Sequence, residues 1–458
     1  MATSRADQHN MDATSGMNGR HVNGKSVDNA SPGSFKRVLV VGGGPVGCLA
    51  ALKLGQAGID VDIIEKLPAT SDAPRACGYF GAVHFFLNEI GMYKLIREQG
   101  FMTRGLVWRT MPKDDGKGGK TLGDVIGVQP LCAPDDTVLD VGSGLLNLPQ
   151  ADINKLFLHE ALKTGHVRIY FRTELVSILQ NTKDGVAILI RDVETGAEKQ
   201  YQATYLVGAD GAHSMARKAL GLSFPGHTWP ERIIATDVLV KNEPAPIFHT
   251  HFVMDRTYYS IATPLEDPVP GKTTLWRYSL ASDPNDSRTD EELMSNSNIM
   301  SAYERNMHGP RPLQAQIQAR AIYRIHQRLV STMRKGNCLL AGDAAHLNNP
   351  LGALGLNTGI LDADAATEAL IMVLNEGCSD SVLDVYSDER RKVFQFFVDP
   401  TSTQNKLRLH SHDVSTAVQD DWYLRMINHP TPEKMLELMK PYFETWRTDM
   451  RKVTKGMV

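Results

Sequence analysis

Little in this 458-residue chain points to a secreted, membrane-spanning or nucleic-acid-binding protein. Its five cysteines, Cys48, Cys77, Cys132, Cys338 and Cys378, are odd in number, scattered and without C-x-x-C spacing, which excludes a disulfide framework and predicts a reduced, intracellular protein. A long apolar run is missing: the stretch after Val38 is rich in glycine and broken by Lys53, so no membrane span is expected. An excess of one charge is missing too, with 49 basic against 52 acidic residues, which leaves no footprint for nucleic acid or an anionic membrane. The N-terminus lacks the apolar core of a secretory signal, and its acids argue against a mitochondrial presequence; the expected location is cytoplasmic. Residues 1–34 are nearly devoid of aromatics and rich in Ser, Asn, Asp and Gly, so they are expected to be disordered. No internal repeat is visible. His410-Ser-His412-Asp413 lacks further spaced ligands, so no metal site is expected.

What is present is organised around Phe35–Glu65. Val38–Val41 read as a buried parallel strand running into glycines. Gly42, Gly44 and Gly47 give G-x-G-x-x-G, with Val46 beside the turn, and leucines at helical spacing follow. A second strand, Asp60–Ile64, ends in Glu65. In this context Gly42 makes the tight turn, Gly44 keeps the backbone bare for a pyrophosphate, and Gly47 lets helix and strand pack closely. The diphosphate would sit on free amides at the positive end of the helix, and Glu65 would accept from an adenosine ribose. A carboxylate there repels a 2′-phosphate, so FAD or NAD fits better than NADP.

Further along, Val83–Ile96 reads as a helix, and Ala151–Lys163 as another after Gln150. Residues 112–123 end in GGKT, but the first glycine of a phosphate-binding loop would fall at Asp114 and no apolar strand leads in, so this is read as a surface loop. Strand-like runs follow at Val167–Phe171, Glu174–Leu179, Val186–Arg191 and Tyr205–Val207. From Ile233 to Tyr278 short alternating segments suggest an antiparallel sheet. Helices are expected over Leu356–Leu374 and Ser381–Val398, and the last sixty residues read as helical.

Three motifs together resemble the single-component, FAD-dependent class A monooxygenases, the para-hydroxybenzoate hydroxylase and phenol hydroxylase group, with fungal secondary-metabolite hydroxylases most similar. They are Gly42–Gly47 with Glu65, GADGAHSMAR over Gly208–Arg217, and LLAGDAAHLNNPLGALGLNTGILDA over Leu339–Ala363. Weaker matches are APRA around Arg75, LPQADINKLF around Gln150 and YRIHQRLV from Tyr323. The resemblance implies an α/β fold: a Rossmann-like FAD-binding domain (35–225 and 333–400) interrupted by a mostly antiparallel β-sheet substrate domain (226–332), with a helical segment at 401–458. It implies non-covalent FAD, and NADPH or NADH as co-substrate without a nicotinamide domain of its own. It implies that an aromatic, phenolic or polyketide-like molecule is hydroxylated by dioxygen through a flavin C4a-hydroperoxide, in secondary metabolism. Baeyer–Villiger insertion and epoxidation use the same chemistry and stay open, as does homodimer formation. An NAD-dependent dehydrogenase would leave the third motif without a role.

The resemblance also assigns residues. Arg75, Gln150, Gly342 and Asp343 would hold FAD, with Asp343 on a ribityl or phosphate-linked hydroxyl. Asp210 and Gly211 would support the diphosphate and shape the nicotinamide approach. Gly355, Leu356 and Asn357, at a helix N-terminus, would stabilise negative charge on the reduced ring. Pro350 and Gly352 would border the site of oxygen attack. Asn349, Leu351 and Ala353 depart from the usual Pro, Thr and Gly, so a substrate larger than a simple phenol is expected against this loop. On the sheet, Arg277 and Tyr259 are the catalytic candidates, with His249, His251, Tyr258 and Tyr278 as further groups able to face the flavin.

Overall fold

The structure is a computed structural model that describes residues 37–132, 140–241 and 250–456. His249 lies outside the described residues. Strand Arg37–Val41 sits at the centre of a six-stranded sheet whose order is Val167–Tyr170, Asp60–Ile64, Arg37–Val41, Tyr205–Gly208, Cys338–Leu340 and Arg334–Lys335. All pairings are parallel except the last, which is antiparallel. Val38, Leu39 and Val40 are all buried, because helices cover both faces, and an unbroken apolar run is what such a strand requires. Helix Pro45–Gln56 leaves this strand with Pro at its first position, where a missing N–H costs nothing. It packs against helices Gln150–Lys163 and Leu354–Leu374.

A second, eight-stranded sheet is antiparallel but for one pair, Thr250–Val253 beside Gly105–Arg109. Its middle strands are Thr273–Ala281 and Ser260–Pro264, with the long strand Gly226–Lys241 beside the first. Alternation sorts its faces. Ile234, Tyr278 and Leu280 pack on helix Asn296–Asn306 through Ile299 and Tyr303, whereas Ile233, Trp108 and Phe252 pack toward the C-terminal helices through Leu409 and Leu424. The sheet is wider than the segment 226–332. Gly105–Arg109 and Val125–Pro130 form one edge and His346–Leu347 the other.

Several elements differ from expectation. The helix expected over Val83–Ile96 is two, Ala82–Glu89 and Met92–Gln99, because Gly91 takes a left-handed φ of 76° between them. The helix from Val382 does not end at Val398 but passes through a π turn, Phe394–Val398, into Asp399–His410. The GGKT segment is a small hairpin, Lys113–Asp114 against Lys120–Thr121. The C-terminal helices are pinned by Trp446, fully buried, whose indole N–H donates to Thr358 Oγ1 at 3.0 Å. Among the described residues no helix is long and apolar enough to cross a membrane.

Candidate active site

A cavity of about 880 Å3 lies between the two sheets. One end is made by the first motif. Gly42, Gly44, Val46 and Glu65 line it, and a Cβ at Gly44 would meet nothing within 4 Å. Helix Pro45–Gln56 starts there without a side-chain cap, so its first amides face the opening. Glu65 is held in place by accepting from the N–H groups of Gly43 (2.7 Å) and Leu67 (2.9 Å). Gly47 lies behind the lining, where a Cβ would stand 2.0 Å from Gly42 O. A bare backbone, unpaired amides and an anchored carboxylate fit a dinucleotide diphosphate and ribose.

The third motif supplies the opposite wall. Gly342 and Asp343 line the cavity, and Asp343 has no hydrogen-bond partner among the described residues. Burial pushes its carboxyl up, against the pull of His346 and Arg75. A half-buried carboxyl without a partner needs a ligand donor, which suits a flavin hydroxyl. Arg75 and Gln150 also line this region; Gln150 opens its helix and donates its backbone N–H to Ala76 O at 2.9 Å. Gly355 and Leu356 lie in the first turn of helix Leu354–Leu374, which has no side-chain cap. Pro350 and Gly352 line the cavity just before it. Ala353 has φ 55°, in the left-handed region that favours glycine, which gives a physical reason for the glycine expected there.

Three expected residues do other work. Asn357 does not line the cavity: its Nδ2 donates to Gly78 O (2.8 Å) and Ala353 O (2.7 Å), tying the helix start to a neighbouring strand. Asp210 lines the cavity with Gly211, but its carboxylate accepts from Ser214 Oγ (2.6 Å), Met215 N (2.6 Å) and Ala216 N (3.0 Å). It therefore holds the turn rather than a diphosphate. Tyr259 is away from the cavity, in a buried cluster. Its hydroxyl donates to Glu231 Oε1 at 2.6 Å, Glu231 pairs with Lys406, and Lys406 lies 2.9 Å from His410 Nε2. His251 and Tyr278 also point away. Thr250 and Phe252 take the cavity face of their strand, and Tyr278 packs edge-on against Tyr303.

Arg277 does line the cavity. Its Nε and Nη2 bind both oxygens of Asp237, at 2.7 and 2.8 Å, while Nη1 is buried without a partner. An orphaned buried guanidinium N–H beside a cavity calls for a ligand acceptor. The rest of this end is aromatic. Trp108 stacks on Phe252 at 5.1 Å, and Tyr423 meets Trp108 edge-on at 5.2 Å. Asn405, Arg408, Leu438 and Tyr442 complete the wall from the C-terminal helices. A Cβ at Gly352, where φ is 109°, would stand 2.4 Å from Asn405 Nδ2.

Two residues within the motif stretches had no role assigned from the sequence. Asp362, fully buried, accepts from Gly342 N (3.0 Å), His346 Nε2 (2.5 Å) and Arg390 Nε (2.7 Å), and so fixes the Gly342–Asp343 loop. Burial would raise its carboxyl, but His346 and Arg390 outweigh that and bring it down to about 2. Arg217 bridges the second and third motifs, donating to Ala212 O and Ala344 O, each at 2.9 Å. Both stand inside the motif stretches, but only their contacts reveal the role. No cluster of potential metal ligands occurs among the described residues.

Residues 36–401 match the family model described as an FAD binding domain. The para-nitrophenol 4-monooxygenase of Pseudomonas sp. (strain WBC-3) is 34% identical over 388 residues, covering 84% of this chain and 90% of that protein. The 6-hydroxy-3-succinoylpyridine 3-monooxygenase HspB of Pseudomonas putida (strain DSM 28022 / S16) is 29% identical, over 84% of this chain and 92% of its own. The crystal structure of p-nitrophenol 4-monooxygenase PnpA from Pseudomonas putida DLL-E4 superposes with a TM-score of 0.78 at 31% identity, covering 89% of this chain and 97% of that one. With FAD as its cofactor, this chain belongs to the FAD-binding-domain family of class A flavin-dependent aromatic monooxygenases.

Proposed function

We propose that the protein hydroxylates a small phenolic aromatic molecule, using NAD(P)H as electron donor and dioxygen as oxidant. Bound FAD supplies the electron transfer from nicotinamide and the delivery of one oxygen atom. The chain's own residues do the rest. The amides opening helix Pro45–Gln56 hold the diphosphate, and Glu65 holds the ribose. Asp343 and Gln150 orient the ribityl chain and ring. The uncapped amides of the first turn at Leu354–Leu356 stabilise negative charge on the ring without reorganising when it forms. Arg277 offers Nη1 to an oxygen of a ligand in the cavity, while Asp237 fixes its fork. The aromatic walls exclude water, and Pro350 and Gly352 border the reacting edge. We place the FAD-binding part within 35–225 and 333–400, apart from Gly105–Arg109, Val125–Pro130 and His346–Leu347, which join the eight-stranded sheet; that sheet and the C-terminal helices form the substrate side.

The observation that carries this reading is the shared cavity: dinucleotide-type backbone groups at one end and the Trp108–Phe252–Tyr423 aromatic wall at the other. The relatives named for para-nitrophenol and for a hydroxylated pyridine support an aromatic substrate. The test has two parts. Purified protein is expected to be yellow and to release FAD on heating. Incubation with NADPH or NADH, labelled dioxygen and a panel of phenols is expected to give a product heavier by one labelled oxygen. A protein that binds FAD but oxidises nicotinamide without labelling any aromatic product would overturn the proposal.

A further inference from the structure

Among the polar groups at the aromatic end of the cavity is Gln129, on the edge strand Val125–Pro130. It is only 5% exposed, and its backbone is committed to the sheet. Its side-chain Oε1 accepts from the Tyr423 hydroxyl. Its amide N–H group meets only the Met439 thioether sulfur, 3.4 Å away, among the described residues. Thioether sulfur is a weak acceptor, so a buried amide donor is left nearly unpaid. Turning the amide over would set its carbonyl oxygen against the sulfur lone pairs and remove the acceptor for Tyr423, so this orientation is the favoured one.

The surrounding groups hold it rigidly. Tyr423 lies under the Arg408 guanidinium, 4.0 Å from its ring, and edge-on to Trp108. Arg408 bonds Asp421 Oδ1 at 3.0 Å and Asn405 Oδ1 at 2.7 Å. Asn405 in turn abuts Gly352. An unbroken line of contacts thus runs from the Pro350–Gly352 loop to Gln129. Asn405, Arg408, Tyr423 and Met439 all lie beyond residue 401, where the family match ends.

From this we infer that Gln129, oriented by Tyr423, is a specificity-determining residue that donates to an acceptor oxygen of the aromatic substrate seated between Trp108, Phe252 and Tyr423. The inference rests on the proposed aromatic hydroxylation. Two sources of that oxygen share this chemistry: the phenolic oxygen itself, or an acceptor substituent on the ring.

Calorimetric titration of the FAD-loaded protein with 4-nitrophenol, 4-ethylphenol and nitrobenzene separates them without turnover. In Gln129→Leu, a substituent source raises Kd about 3- to 10-fold for the two nitro compounds and leaves 4-ethylphenol unchanged. A phenolic source raises Kd by a similar factor for the two phenols and leaves nitrobenzene unchanged. Either selective pattern supports the assignment. Equal weakening of all three, or of none, overturns it, since a packing role cannot tell ligands apart. Tyr423→Phe keeps the ring and the Arg408 stack but releases Oε1, so it shows the same selectivity at smaller size and carries the test if Gln129→Leu fails to load FAD. Wild-type protein that binds none of the three would instead bring down the aromatic reading, and this inference with it.

Discussion

At the Gly42–Glu65 end of the cavity the lining is mostly backbone: bare glycine and the first amides of a helix, with one anchored carboxylate. At the Trp108–Gln129 end it is side chains, drawn from the strands along one side of the sheet and several C-terminal helices far apart in sequence. The first end can be made only where the chain turns from strand to helix, so its residues are contiguous and its spacing is strict. The second is assembled from side chains whose only common property is the face they point to. A cofactor shared across a family suits the first construction. A substrate that differs between members suits the second, because one side chain can change without disturbing the sheet beneath it.

The sharpest way to break that contrast is Gly47→Val. A Cβ there would stand 2.0 Å from Gly42 O, so the strand–helix unit cannot close. The expected result is soluble protein with no FAD, or no folded protein, read from the flavin-to-protein absorbance ratio. A yellow variant with full FAD content would show that the backbone end is more tolerant than its geometry says.

Next in size is Arg408→Leu at the side-chain end. It takes the guanidinium from buried Asp421, leaving the carboxylate the Leu424 N–H, and removes the stack on Tyr423, at a cost of about 3 kcal/mol. Chemical denaturation should show that loss while the folded fraction keeps its FAD. Parallel loss of FAD would mean the two ends are not separable.

The third prediction concerns the side-chain brace behind the backbone end. Asp362 is held near 2 in the folded protein, against an ordinary value of 3.8. Its lowered value means that its contribution is complete above about pH 4 and is lost as pH falls toward about 2, an effect of about 2 kcal/mol. Urea midpoints across that window should fall in wild type and fall less in Asp362→Asn. An equal slope in both would rule out Asp362 as the titrating group.

The smallest effects come from two neighbours in the loop joining the ends. Gly352→Ala forces a side chain onto φ 109° and into Asn405, and should cost about 1–2 kcal/mol. Part of that should return in Gly352→Ala with Asn405→Ala. Ala353→Gly relieves a left-handed alanine at φ 55° and should gain up to about 1 kcal/mol in thermal unfolding. A rise on Gly352→Ala, or a clear fall on Ala353→Gly, would mean that loop strain is not what sets these positions.

The residues that misled the sequence reading share a cause. Arg277 lies on strand Thr273–Ala281 and Tyr259 just before the neighbouring strand Ser260–Pro264, and pattern alone gave them equal standing. Only the structure shows Tyr259 turned to Glu231 and Arg277 turned to the cavity. Asn357 sits in the expected helix turn, yet its amide is taken by Gly78 O, a residue 279 positions away. Asp210 belongs to a motif, but its oxygens are already spent on three local donors. Gln129 had no signal at all, because an amide on an edge strand looks like any solvated residue until Tyr423 covers it.

By itself the sequence determined the strand–glycine–helix unit, the Glu65 carboxylate after it, the Gly342–Asp343 turn and a helix start near Leu356, which the structure moves to Leu354. These depend on φ, on missing side chains and on free amides, which are properties of a residue and its immediate neighbours. Tertiary structure alone decided which face of the second sheet meets the cavity, that strands Gly105–Arg109 and Val125–Pro130 join it, and that Arg408 and Tyr423 close its far end. Those outcomes depend on which apolar surfaces bury one another across hundreds of residues, and no local spacing encodes that choice.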